Sequence, residues 1–212
     1  VEISPSPLKA VLTTTIELLA ALPSIVFGFW GLYRLAPIMG TGIEPILQNI
    51  FSPFPLIGKL FTGIPLGIDI LTASIILAIM IIPFISSITR SAFERTPNVI
   101  KESAYALGAT KWEVIRYIVI PSSKYSIYSA TFVALGKALG ETMAVVFLLG
   151  NRHQFAESFF DATSTITVTL VNEFTTTSSE LYYSSLVFLD LILFSISITT
   201  LAVSKLILRR DQ

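Results

Sequence analysis

The sequence predicts an all-α polytopic membrane helix bundle, and three observations carry that expectation. Charged residues make up 13% of the 212-residue chain, about half the share found in ordinary soluble domains. Hydrophobic residues reach 53% and mean hydropathy is +0.76, with the apolar residues gathered into blocks longer than a globular core requires, as a bilayer solvent demands. The basic residues crowd into one connection between those blocks. Lys+Arg and Asp+Glu both number 14, which leaves no excess positive charge for a phosphodiester backbone and argues against nucleic acid as a partner. The absence of cysteine removes disulfides, thiolate metal sites and a thiol nucleophile.

Four runs of about 20 or more apolar residues are read as spans of a single domain covering residues 1–212: 16–39, 64–88, 125–150 and 181–208. Pro23 and Pro83 interrupt the first two, a break that membrane helices tolerate where neighbours satisfy the freed backbone. Glu17 falls at one end of the first span, while Arg34 and Asp69 fall near the other ends of theirs, where snorkelling to the interface is the commoner explanation. Trp30, Trp112, Tyr182 and Tyr183 fall where an aromatic belt would. The 89–124 connection holds Arg90, Arg95, Lys101, Lys111, Arg116 and Lys124, against Lys59 alone in 40–63 and Arg152 alone in 151–180. The positive-inside rule therefore places 89–124 in the cytoplasm. Lys9 at one end and Lys205, Arg209 and Arg210 at the other agree, putting both termini of this chain inside. The run Thr175 to Ser179 reads as external linker. Val1 is not an initiator and no signal peptide pattern is visible.

The cytoplasmic connection has its own punctuation. Thr96 is an N-cap candidate with Pro97 at the first helical position, Ile100, Ala104 and Leu107 recur at helical spacing, and Gly108 is placed to end the helix in a left-handed conformation. Thr110 and Glu113 then form a T-x-x-E capping box, Trp112, Ile115 and Ile118 share a face, and Pro121 closes the second helix. The expectation is a helix-turn-helix over 96–121 at the inner membrane surface.

The third span carries charges. Counting 1.5 Å per residue from Tyr125, Lys137 lies about 18 Å in and Glu141 about 24 Å in, both near mid-bilayer, where an ionisable side chain faces the protein interior or a wet cavity and marks a pathway by default. Their spacing of four puts them on one helix face, able to pair. Gly136 and Gly140 make a G-x-x-x-G on an adjacent face, and Asp190, about 13 Å from the outer end of the last span, is a second candidate partner for Lys137. A buried ion pair that only fixes packing is the alternative to a role in a path or gate.

Glu102, Ser103 and Ala104, then Leu107, Gly108 and Ala109, then Ile118, Val119, Ile120 and Pro121, resemble the EAA motif of ABC importer permeases, with Ser103 for the second Ala and Ile120 for Leu. The stretch GKALGETMAV, residues 136–145, closely resembles the G-R-A-L-G-E-T-M-A-V signature of phosphate ABC importer permeases of the PstC type, with Lys137 where Arg is usual. Residues 16–32, together with NEF at 172–174 and SSEL at 178–181, resemble two further segments of that family. The resemblance covers about residue 16 to residue 208 and lacks the family's earlier spans, so the chain looks like the last four helices of a six-helix permease.

What the resemblance implies is a type I importer (MetI-like) permease fold in which 96–121 is the coupling helix that docks on a cytoplasmic ATPase. The coupling residues it implies are Glu102, Ser103, Ala104, Leu107, Gly108, Ala109, Trp112, Ile118 and Pro121. Lys137, Glu141 and Asp190 are the candidates for translocation path or gate. Implied partners are two ATP-binding subunits, a second permease subunit and an extracytoplasmic phosphate-binding protein; ATP and Mg belong to the ATPase, and this chain carries no cofactor. Catalytic machinery is absent from the sequence: no HExxH, GxSxG or GxxxxGK[ST] occurs, and the single His153, beside Arg152, reads as a solvated loop residue. That disfavours an intramembrane enzyme, and the coupling pattern disfavours a passive channel or assembly protein. A permease for sulfate or molybdate is the nearest alternative.

Overall fold

The computed structural model describes residues 6–176 and 179–208. Thr177 and Ser178 of the polar run, and the basic Arg209 and Arg210, lie outside the described residues, as does the side chain of Lys9. The fold is helical: α1 (Ser6–Ala21), α2 (Ser24–Phe51), a 3-10 turn (Gly58–Phe61), α3 (Ile70–Glu94), α4 (Asn98–Ala106), α5 (111–122), α6 (Lys124–Leu139), α7 (Met143–Val146), α8 (Ile166–Glu173) and α9 (Glu180–Leu208). Among the described residues the backbone pairing typical of strands is limited to one isolated bridge, Gly150 to Thr163. Helices α3 and α9 are each long and apolar enough to cross a membrane, and α1 with α2 meets that test as a broken pair.

The four apolar runs do not map onto four uninterrupted helices. Within 16–39, α1 stops at Ala21; Pro23, with φ −59° and ψ 137°, stands before the first turn of α2 because a proline ring fixes φ, removes the N–H and pushes its predecessor towards extended backbone. Once started, α2 passes Met39 and continues to Phe51. It traverses Pro37 and Pro45 by the same device, a π turn at Gly31–Leu35 and another at Met39–Ile43, each ending two residues before the proline. The wider i→i−5 turn leaves room for a ring that would clash with the carbonyl one ordinary turn back. A third π turn, Ile115–Val119, precedes Pro121. Pro121, expected to close its helix, therefore lies inside α5, which ends at Ser122.

The run 125–150 is also divided. Helix α6 ends at Leu139, residues 140–142 are non-helical, and after α7 the chain leaves helix altogether, although Ala144, Val145, Leu148 and Leu149 are buried. Those residues are apolar because protein covers them, and hydropathy reads burial in protein and burial in lipid alike. The run 64–88 begins with a non-helical segment, α3 starting only at Ile70, while 181–208 lies within α9.

The chain forms two compact units: Val1–Ala21 with Ile81–Ala138 and Ile196–Gln212, and Leu22–Met80 with Leu139–Ser195. In the first, Arg90 reaches Glu17 (3.2 Å) and Glu94 (2.9 Å), and the Ser129 and Ser204 hydroxyls meet at 2.8 Å. A cavity of about 530 Å³ is lined there by residues including Thr13, Glu17, Ser86, Thr89 and Arg90. In the second, Met39, Ile76, Ala144, Leu148 and Val168 have no exposed surface. Gly28 admits α7 closely, since a Cβ there would stand 2.9 Å from the Met143 carbonyl oxygen. Loop 151–165 is tied down: the Ser158 hydroxyl donates to the Leu60 and Thr62 carbonyls, and Asp161 accepts from the Glu157 and Ser158 N–H groups. His153 lies against Glu173 rather than standing free.

Candidate functional site

The 96–121 element is built by local chemistry at both of its turns. Helix α4 ends in a Schellman motif, in which the Ala109 N–H donates to the Ala104 carbonyl (3.1 Å) and the Gly108 N–H to the Tyr105 carbonyl (2.9 Å). Gly108 has φ +88°, the left-handed conformation that glycine adopts without steric penalty. Two residues on, the Thr110 N–H and hydroxyl donate to Glu113 Oε2 (2.7 and 2.8 Å), and the Glu113 N–H returns a bond to the Thr110 oxygen (3.3 Å). This capping box satisfies two donors that a helix start leaves open, and the Thr110 backbone N–H, then its hydroxyl, hold the Glu113 carboxyl below its ordinary range.

The start of α4 departs from expectation by one residue. Pro97 occupies the N-cap position without a side-chain bond, so Thr96 is one place too early to reach the first free N–H groups. Its buried hydroxyl instead pairs with Ser122 Oγ (3.2 Å), tying the beginning of α4 to the end of α5. Ser123 Oγ to the Ala92 carbonyl (3.3 Å) and Lys101 Nζ to the Phe93 carbonyl (3.4 Å) fasten the same element to the end of α3. The buried anchors of α5 are Val114 and Val119. Trp112 is exposed and Ile115 and Ile118 are half-buried, because the π turn rotates the face that ordinary helical spacing assigns.

The expected coupling residues thus form one firmly held surface. Glu102, Ser103, Leu107, Gly108, Trp112 and Pro121 are exposed, with Ala104, Ala109 and Ile118 intermediate. Leu107 is 89% exposed and Val99 72%; large apolar side chains left in the open on a short helix capped at its end form a surface that no described residue covers.

The charged residues of the third run sit at a helix break. Lys137 is in the last turn of α6, exposed, with Nζ 4.9 Å from the centre of the Phe84 ring. A cation there complements the free carbonyls of a helix C-terminus and gains a cation–π contact. Glu141 lies beyond the helix, half-buried, its Oε1 accepting the Ala144 N–H (3.2 Å) at the start of α7 and its backbone carbonyl accepting from the Thr167 hydroxyl (3.0 Å). The expectation of one helix face shared by Lys137 and Glu141 is corrected: α6 stops at Leu139, so the four-residue periodicity does not carry through. Gly140 likewise falls beyond α6, while Gly136 faces Thr200 of α9. Asp190 is exposed on α9.

Asp69 is corrected outright. In place of a snorkelling surface carboxylate it is 1% exposed, and Glu44, which sequence reasoning passed over, is 0% exposed. Their carboxyl groups lie within hydrogen-bonding reach of each other. Twenty-five residues separate them and neither has a motif, so the only available signal was that both are acidic residues bordering apolar runs.

The family described as binding-protein-dependent transport system inner membrane component matches residues 4–210. Among relatives, the phosphate transport system permease protein PstC of Mesorhizobium japonicum is 48% identical over 99% of this chain and 64% of its own length. Those of Xylella fastidiosa (46%, 99% and 64%) and Pasteurella multocida (43%, 100% and 66%) are similarly placed. The chain spans a little under two thirds of the length of these relatives. No solved structure matches it. A match from residue 4 to residue 210 takes in the capped 96–121 element and the charged helix break alike, and the chain belongs to the binding-protein-dependent transport system inner membrane component family.

Proposed function

We propose that this chain is the membrane permease subunit of an ATP-driven importer of inorganic phosphate, passing phosphate delivered by an extracytoplasmic binding protein into the cytoplasm. The observation that carries the reading is its identity, across nearly its whole length, with relatives named as phosphate transport permeases. ATP is hydrolysed on partner subunits. The 89–124 connection faces the cytoplasm, 40–63 and 151–180 face outward, and both termini of this chain lie inside.

Force enters through the 96–121 element. Its exposed Leu107 and Trp112 are suited to seat in a groove of the ATPase, and the Schellman turn, the capping box and the ties to Ala92 and Phe93 favour a displacement that reaches α3 and α6 rather than being absorbed in a soft loop. Lys137, Glu141 and Asp190 mark the path or its gate, a role supported by the exposure of Lys137 and Asp190 on this chain, with a second permease subunit facing them. Lys137 offers phosphate a point charge where Arg would offer a planar fork. The test is uptake of labelled phosphate, sulfate and molybdate by vesicles holding the complete assembly with its binding protein. ATP-dependent uptake of phosphate alone is expected; preference for sulfate or molybdate, or uptake without ATP, refutes the reading.

A further inference from the structure

The Glu44 and Asp69 side chains are fully buried, stand outside the functional elements described so far, and take no part in any ion pair among the described residues. Each has one oxygen anchored by a backbone donor: the Gly67 N–H reaches Glu44 Oε2 (3.2 Å) and the Thr72 N–H reaches Asp69 Oδ1 (2.9 Å). The Thr72 hydroxyl also bonds Glu44 Oε1 (3.4 Å). Asp69 Oδ2 is buried and has no donor, yet the Glu44 carboxyl is within hydrogen-bonding reach. A carboxylate cannot donate; a carboxylic acid can. Two like charges enclosed together are also unfavourable until one takes up a proton.

The charged groups on the elements packed around the pair do not relieve this. Lys59, on the 3-10 turn beside α2, is exposed, and Glu157 and Asp161 belong to the loop tied to Leu60 and Thr62; none bonds Glu44 or Asp69 among the described residues. A metal ion fits poorly. Calcium takes about six to eight oxygen ligands, whereas here two N–H groups and a hydroxyl already occupy three of the four carboxyl oxygens.

We propose that Glu44 and Asp69 bind a single proton between them, and that this proton fastens the 63–69 segment to α2 on the outer side of the permease. The segment depends on that fastening. Gly67, at φ +71°, lies so close to α2 that a Cβ would stand 1.9 Å from the Ala36 carbonyl oxygen, and Gln48 Nε2 donates to the Gly63 carbonyl (2.8 Å). With the proton in place, every carboxyl oxygen in the pair has a donor. Its loss to an alkaline exterior leaves two buried negative charges, which repel and lift the segment. The outer side depends on the proposed orientation; the proton itself does not.

Infrared spectroscopy and hydrogen exchange on the complete assembly test this without reference to transport. At neutral pH the wild type should show the C=O stretch of a protonated carboxylic acid that is missing from the Glu44→Gln, Asp69→Asn double variant and that bleaches on alkalinisation. Amides of residues 63–69 should exchange faster at alkaline pH than intrinsic chemistry predicts in the wild type, and not in Glu44→Gln, whose amide keeps a permanent donor toward Asp69. That single variant carries both comparisons if the double variant fails to assemble. Absence of the acid band at neutral pH, equal exchange in the two proteins, or exchange governed by added sodium or calcium in place of pH would overturn the proposal.

Discussion

Replacing Gly108 separates conformational cost from steric cost, because a Cβ added there meets nothing within 4 Å. Only the backbone objects: φ is +88°, and holding an ordinary L-residue in left-handed conformation costs roughly 1–2 kcal/mol. That is a factor of about 5–30 in the population of the closed Schellman turn, enough to change how often α4 presents Leu107 in its proposed docking position while leaving spans, insertion and core untouched. Gly108→Ala should therefore lower ATPase association and phosphate uptake by a factor within that range, with membrane content and thermal stability near wild type. Gly108→Asn should lie between the two, since Asn tolerates the left-handed region better than Ala. The assays are pull-down of the ATP-binding subunits and vesicle uptake, on the same preparations. Wild-type association and uptake in Gly108→Ala would refute the argument that this turn sets the coupling geometry. So would a loss as large in Asn as in Ala, because the cost would then not be conformational.

Gly67→Ala has the opposite character: its Cβ collides with backbone at the Ala36 carbonyl, so the protein should fail to accumulate, and normal yield and melting temperature would contradict that packing. Single cysteines at Lys111 and Phe155, both exposed in a chain without native cysteine, should label with an impermeant maleimide from opposite membrane faces; labelling from one face removes the proposed orientation. At the helix break, Lys137→Ala and Glu141→Ala should each abolish uptake while Lys137→Arg retains it. A Lys137→Met, Glu141→Leu double variant should assemble yet move no phosphate, and near-normal uptake by it would reduce both residues to packing elements.

Legibility in the sequence followed the range of the chemistry. The Schellman glycine and the Thr110–Glu113 box were readable because three or four residues of contiguous chain contain the whole interaction. Thr96 was misplaced by one residue, since Pro97 decides locally where the first turn begins and the hydroxyl then finds Ser122, 26 residues away. The run 125–150 was misread for a different reason. Leu148 and Leu149 are as apolar as any lipid-facing residue, and only the fold reveals that protein covers them. Pro121 misled in the same manner: it reads as a terminator, but a π turn before it lets the helix continue past it. The Glu44–Asp69 pair leaves no local mark, because its burial is created by the 63–69 segment folding back on α2.

The break at 140–142 changes what the two mid-span charges require. On one unbroken helix, Lys137 and Glu141 would each depend on the other for relief, and the simplest account would be an ion pair that fixes packing. With the helix ended at Leu139, each finds a separate source of compensation. Lys137 has the carbonyl end of α6 and the Phe84 ring, and Glu141 has the Ala144 N–H at the start of α7. Neither of those contacts consumes the full hydrogen-bonding capacity of its charged group: an ammonium retains its three donors beside an aromatic face, and among the described residues only Oε1 of the Glu141 carboxyl accepts a bond. Charges that are stabilised without being mutually neutralised stay available to an anion and its proton. The gate role proposed for Lys137 and Glu141 requires that availability, and a helix ended at Leu139 is consistent with it.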